Sequence, residues 1–477
     1  MNTMQKVYIP KSPKNLNMNK VFDCIDEFFY GYAYPVILAL VTVICFVCKL
    51  QLGGIALFFI LGCYLLVTHR DATPILPILA FFIFLIRDIS VTGSIVFYLM
   101  IVPPAICLII HFVRFPLKHF NFGRLFLPLC FVITALFLGG LLSPYVSAYK
   151  EGLLYTIPLG PVLLTIYLYF ANYIEYPEDF DIKHYFAFLL CLVGFIACFE
   201  FLYYYHNFIV LENNVFSNSE LGCGNVNMIG TVLLIAIPAV CYLGVKAKNV
   251  YPYVITVLAF YFIIYLTGSD GSLGVAVAFL PILALLVFMR TKGKNHNRFT
   301  LVVFLAIAGA ICLGILIIVK DKTHLITDII DKAKNSDSGR TDLYLDAVRI
   351  FLENPLFGAG FGYHNHQLYA PVGAGGLRLY NSHSTLFQVM GSLGLVGLGA
   401  YTYYFYSRFA VFMQSNKDFN TFACASFIMC SCYGFVDTVE FSTIPTMILL
   451  TFLVLITEFN NTEEYLEFPI HRKYAKI

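Results

Sequence analysis

The chain has 477 residues, of which 59% are hydrophobic and only 12% charged, with a mean hydropathy of +0.79. Ordinary globular domains carry about 25% charged and 45–50% apolar residues, so this excess cannot be hidden in a water-soluble core, and a soluble enzyme and a disordered chain are both excluded. Thirty basic against 28 acidic residues leave a net charge of +2, too little for a nucleic-acid-binding field.

Residues 1–20 are polar and precede a full-length apolar span with no small-residue cleavage pattern, so no cleavable signal peptide is expected. Apolar windows of about 20 residues, the length a bilayer-crossing helix needs, fall near 31–48, 52–68, 74–87, 90–113, 124–143, 152–173 and 184–206. Seven more fall near 227–245, 250–268, 272–289, 299–319, 384–410, 419–437 and 441–459. The runs are continuous rather than alternating, as helices require and barrel strands do not. The expected fold is an all-α polytopic membrane protein with about fourteen transmembrane helices. The window 74–87 is short, and a re-entrant segment there would change the parity. Nearly all fourteen cysteines lie within spans, so no disulfide framework is expected, and Cys45-x-x-Cys48 reads as packing.

With the N-terminus inside, twenty Lys and Arg fall in inner segments and three, Lys49, Arg87 and Lys150, in short outer connections. That bias places both termini in the cytoplasm under the positive-inside rule. The remaining seven cations lie in one long outer segment, which obeys the rule poorly. The chain thus divides into residues 1–320 with eleven spans, an outer loop 321–382, and 383–477 with three spans and a cytoplasmic tail.

The outer loop is the one soluble-looking piece of size, and loops this long are usually functional or disordered. Residues 322–335 have helical periodicity, with Leu325, Ile329 and Ile330 on a face suited to the membrane surface. Ser338 or Thr341 is placed to cap a second helix over 341–353, which must end before Pro355. Gly358, Gly360 and Gly362 then read as a turn or a backbone nest able to hold an anion.

Arg340 stands at the N-terminus of that second helix, where the macrodipole disfavours a cation, as if kept for an anionic partner. Arg349 has two readings: a helical partner of Asp346 and Glu353, or a substrate contact. His383 is expected in the first turn of the next span, where a helix N-terminus lowers an imidazole pKa and keeps the ring ready to accept a proton. The alternative is an interfacial histidine bonded to water. His364 and His366 lack partners at metal-ligand spacing, so no metal and no cofactor are expected. Glu200, Asp270, Asp437 and Glu440 stand at outer span ends and read mainly as hydrated termini, secondarily as groups that could orient His383.

Arg340 and its helix are followed by Asn354-Pro355-Leu356-Phe357-Gly358-Ala359-Gly360-Phe361-Gly362, then by His383-Ser384-Thr385-Leu386-Phe387 and a span with Gly391, Gly394 and Gly397. This order resembles the O-antigen ligase/polymerase superfamily. Asn225-Val226-Asn227 before Pro238 is similar to the family's Asn-x-Asn span, so the likeness covers roughly residues 222–400. One departure stands out: where family members carry Ser-Arg, this chain reads Thr267-Gly268-Ser269-Asp270. A second cation must then come from Arg87, Arg349 or Arg378.

The resemblance implies a GT-C-like, metal-independent, inverting glycosyltransferase at the outer leaflet of the bacterial inner membrane, acting on an undecaprenyl-pyrophosphate-linked glycan. Arg340 and His383 would be catalytic. Arg349, Arg378, Arg87, Asn227, Gly358 and Gly360 would bind substrate. Membrane lipid and a chain-length regulator protein are the other partners it implies, and nucleic acid is not among them. The span count exceeds that usual in ligases, which favours an O-antigen or surface polysaccharide polymerase. The alternatives are a ligase acting on lipid A core and, third, a flippase or transporter, which would mark its route with mid-membrane charges and repeats.

Overall fold

In hydrocarbon every backbone polar group must be satisfied within the segment, so long apolar runs become helices. The computed structural model describes residues 27–85, 95–144, 156–177, 179–205, 226–319, 340–363, 369–372, 376–379, 381–442 and 444–467. It places a helix in each of the fourteen apolar windows. These are α1 (Ala33–Val47), α2 (Gln51–Thr68), α3 (Ile75–Phe82), α4 (Ile95–Arg114), α5 (Phe126–Leu138), α6 (Leu163–Tyr173) and α7 (Ile182–Tyr205). Then come α8 (Val226–Lys246), α9 (Tyr251–Thr267), α10 (Asp270–Arg290) and α11 (Gly293–Val319). The loop helix α12 (Arg340–Glu353) leads to α13 (Thr385–Phe412), α14 (Asp418–Tyr433), the short α15 (Val439–Ser442) and α16 (Ile444–Glu467).

Among the described residues, α2, α7, α8 and α10 are long and apolar enough to cross a membrane by length and composition. The short window is short in the structure too: α3 has 8 residues, about 12 Å of helix against a hydrocarbon core of about 30 Å. His111 Nδ1 meets the Leu66 carbonyl oxygen at 2.8 Å, so α2 and α4 end at the same face.

The core is built round α8, which is buried almost throughout and packs against α7, α9, α10 and α14. Apolar side chains such as Ile60, Val113, Ile255 and Phe304 are exposed on the outside, a surface suited to lipid. The expectation of an all-α chain needs one correction. The outer loop carries an antiparallel hairpin, β1 (Tyr369–Val372) with β2 (Gly376–Leu379), in which Arg378 pairs with Ala370. Gly376 and the β-branched Val372 stand in a loop too polar and interrupted to read as an apolar span.

One splice positions the site. Gly394 takes φ 63 and ψ −154 and breaks α13. The loop after α12 fills the break, with Ala359 N–H donating to the Gly391 carbonyl at 2.9 Å and Gly360 N–H to that of Ser392 at 3.1 Å. In return, Leu395 N–H donates to the Pro355 carbonyl at 2.8 Å. A Cβ on Gly358 would lie 2.3 Å from the Ser392 carbonyl carbon, and one on Gly394 2.6 Å from that of Leu356. Only glycine permits this approach.

Candidate active site

Three helices define two opposite faces. The Val226 end of α8, the Asp270 end of α10 and the Tyr433 end of α14 lie together: the Gly230 backbone abuts Ser272, and Ser269 Oγ is 3.4 Å from Tyr433 Oη. At their other ends Lys246 and Arg290 both pair with Asp418, at 2.6 and 3.3 Å. On this second face Arg70 also meets Glu175 at 3.0 Å, and Arg298 donates to the Lys248 carbonyl at 3.1 Å. Arg70, Lys246, Arg290 and Arg298 thus gather on one face, and His383 and Asp437 lie on the other.

His383 lies just outside α13, not in its first turn as expected. Ser384 is the N-cap, and His383 has φ +48, a left-handed conformation uncommon for a residue with a side chain. Asn381 Oδ1 accepts from His383 N–H at 2.9 Å, and Gln388 Oε1 accepts from Ser382 N–H at 2.8 Å. These bonds hold the turn in place. The Thr385 amide at the helix start is itself occupied, donating to the Gly434 carbonyl at 2.7 Å. The ring therefore answers to a different group.

That group is Asp437. Its Oδ1 lies 3.5 Å from His383 Nδ1, and the carboxylate is nearly buried. Tyr433 O–H donates to Asp437 Oδ2 at 3.1 Å and Thr438 N–H to Oδ1 at 2.8 Å. Burial pushes the Asp437 carboxyl up, but His383, the Thr438 amide and the Tyr433 hydroxyl together hold it below the usual carboxylate range. The His383 side chain is 35% exposed while its Nδ1 is buried, facing Asp437 at ion-pair distance without a hydrogen bond to any described residue. The open edge of the ring is the one carrying Nε2.

Arg340 is the first residue of α12 rather than a residue before it. At helical spacing Arg340, Tyr344 and Ala347 share the face that packs on α13. Tyr344 stacks on Phe387 at 4.4 Å, donates its hydroxyl to the His383 carbonyl at 3.2 Å, and so ties α12 to the histidine turn. Arg340 is close enough to act electrostatically on both Tyr344 and Tyr433. Tyr344 bonds to the His383 carbonyl and Tyr433 to Asp437, so the start of α12 lies on the same side of the bundle as the pair.

Other expectations fare differently. Arg349 is on the opposite face of α12, exposed, bonded to Asp346 and 4.0 Å from Glu353. Helical pairing accounts for it. Gly358 and Gly360 belong to the splice, where the amides of Gly358, Ala359 and Gly360 are bonded to carbonyls of Asn354, Gly391 and Ser392. Asn227 falls at the outer end of α8, one turn beyond Gly230 and on the site face. Of Arg378 only the strand pairing is described; Arg87, His364, His366, Ser338 and residues 322–335 lie outside the described residues. Of the four acids, Asp270 is exposed as a hydrated end, whereas Glu200, Asp437 and Glu440 are not. Tyr344, Gln388 and Tyr433 were missed, since a lone polar residue at a span end carries no motif. Among the described residues no cluster of His, Cys, Asp and Glu is grouped to hold a metal ion.

The geometry of Arg340, the glycine splice and His383 gives the motif order a physical form, and it can now be set beside known proteins. Residues 254–402 match the family model described as O-antigen ligase. This bears out the resemblance to the O-antigen ligase/polymerase superfamily. The O-antigen ligase match runs from α9 into α13, taking in Arg340, the splice, His383 and Gly394. It stops short of Arg408, Tyr433, Asp437 and Glu440, and Asn227 precedes it. No curated protein matches the chain. With its apolar helices, the O-antigen ligase-like domain marks a multi-pass membrane protein with a ligase- or polymerase-like activity.

Proposed function

We propose that the protein is a surface polysaccharide polymerase that joins undecaprenyl-pyrophosphate-linked repeat units at the outer leaflet of the bacterial inner membrane, with both termini cytoplasmic. The observation that carries this reading is the His383–Asp437 pair, 3.5 Å apart on the face opposite the cation-rich one, with Arg340 opening the helix that Tyr344 ties to the histidine turn. Asp437 accepts the Nδ1 proton and leaves the Nε2 lone pair of His383 to take a proton from the attacking sugar hydroxyl. The oxygen attacks the anomeric carbon as the bond to pyrophosphate breaks, inverting that centre. Arg340 pairs with the phosphate oxygens, where its planar fork meets negative charge as it builds. In this reading Asn227, one turn from the Gly230–Ser272 contact at the same end of the bundle, takes sugar hydroxyls.

A ligase would use the same donor and the same groups, and the description of the matched family favours that second reading. Only the acceptor differs. Glycan profiling of cells lacking the protein separates the two. Loss of long chains with persistence of single-repeat caps is the polymerase outcome, and loss of both is the ligase outcome.

A further inference from the structure

Arg408 lies inside α13 and Glu440 inside α15, both within the apolar bundle. Arg408 Nη2 donates to Glu440 Oε1 at 2.7 Å, with side-chain exposures of 4% and 12%. The guanidinium also lies over the Tyr404 ring at 3.9 Å. By sequence Arg408 counts among the inner cations; the contact instead ties it to the segment that carries Asp437. Arg408 Nε, Glu440 Oε2 and Tyr401 Oη have no hydrogen-bond partner among the described residues. A buried pair left partly unsatisfied adds little net stability over apolar residues of similar volume, but its directional hydrogen bond fixes one register between the segments it joins, which apolar packing alone does not. Charges inside a membrane bundle are functional candidates by default.

What the pair does hold is the connection between α14 and α16. Asp437 stands three residues before Glu440 on that connection. Its carbonyl accepts from Thr385 N–H at 3.2 Å and from Thr385 Oγ at 3.3 Å, which fixes it against the start of α13. Below it, Phe441 packs on the Phe361 and Tyr401 rings at 5.2 Å each, beside the ion pair. We propose that the Arg408–Glu440 pair is a positioning device for the reaction, setting α15 against α13 so that the Asp437 carboxylate stays on His383 Nδ1. It rests on the reading of His383 and Asp437 as catalytic, and adds two residues outside the matched family span. Neither residue touches substrate.

The test reads the histidine ring itself. In full-length reconstituted protein with ¹⁵N-labelled histidine, the His383 signal is assigned by difference against His383→Ala. The wild type should show the Nδ1–H form, and Asp437→Asn should move it toward the Nε2–H form. Arg408→Met with Glu440→Leu removes both charges at similar volume and should still fold; it should move the ring the same way. Its kcat on lipid-linked glycan should fall at least about tenfold with KM little changed, the pattern of lost transition-state stabilisation. In an Asp437→Asn background the same pair of changes should add nothing further. Glu440→Asp keeps the charge with a shorter reach; it should show a smaller shift and carries the test alone if the apolar pair does not accumulate. A folded apolar-pair protein, or Glu440→Asp in its place, with a wild-type ring spectrum and wild-type kcat overturns the proposal. So does a loss that is simply additive with Asp437→Asn. Spectra that behave as stated in a protein that converts no lipid-linked glycan overturn the proposed function and leave the positioning role standing.

Discussion

A neutral imidazole offers one lone pair, and the nitrogen that offers it is decided by what the other one faces. With Asp437 on Nδ1, the exposed Nε2 is the acceptor. Asp437→Asn presents an amide instead and favours the wrong tautomer. Initial rates of purified Asp437→Asn should fall by about 10²–10⁴, the range of a lost general base, with folded protein still recovered. A near wild-type rate would remove Asp437 from the site. Arg340 and Arg349 make a matched comparison on one helix. Arg340→Lys should lose most activity, because a point charge cannot replace a planar fork on phosphate. Arg349→Lys disturbs only pairs with Asp346 and Glu353, each worth about 0.2–0.5 kcal/mol, so rates should hold. The reverse order would exchange their roles.

At the scale of elements, the break in α13 is the feature on which the site depends. Gly394 combines positive φ with a backbone neighbour 2.6 Å from any added Cβ. Gly394→Ala should cost about 1–3 kcal/mol or more and loosen the loop that follows α12. In the same helix a Cβ on Gly399 meets nothing within 4 Å, so Gly399→Ala should be neutral or stabilise by up to about 1 kcal/mol. Thermal unfolding of the detergent-solubilised variants reads the difference, and equal melting temperatures would contradict the splice. The helices themselves were legible in the sequence, because an apolar run of bilayer length has few other fates. The α12 boundary was legible within a residue from Pro355. The splice was not, since a Gly-x-Gly-x-Gly run looks the same whether its amides face a ligand or a neighbouring helix. The turn at His383 was missed for a related reason: Asn381 can cap a helix or hold a left-handed turn, and the choice is made by Gln388 and Tyr344, which lie outside the motif.

At the scale of the molecule, several of the cations that the charge count groups together do share one face, because Lys and Arg near span ends stay close to that end. Arg408 pairs instead with Glu440, a contact the count could not show, since distance from a span end says nothing of a partner on another helix. Asp437 and Glu440 were legible only as span-end acids, for the same reason. Orientation itself can be read by labelling. A membrane-impermeant thiol reagent applied to outer-permeabilised cells should reach a cysteine introduced at Glu353 on α12 and not one at Lys292, each compared with the parent protein. Labelling at Lys292 alone would invert the topology and put the site on the wrong side for an outer-leaflet donor. The most direct measurement is polymer formation by reconstituted protein given lipid-pyrophosphate-linked repeat units, wild type against His383→Ala. The wild type should build a ladder of chain lengths, and folded His383→Ala should build none above background; a ladder from His383→Ala at near wild-type rate would contradict the account.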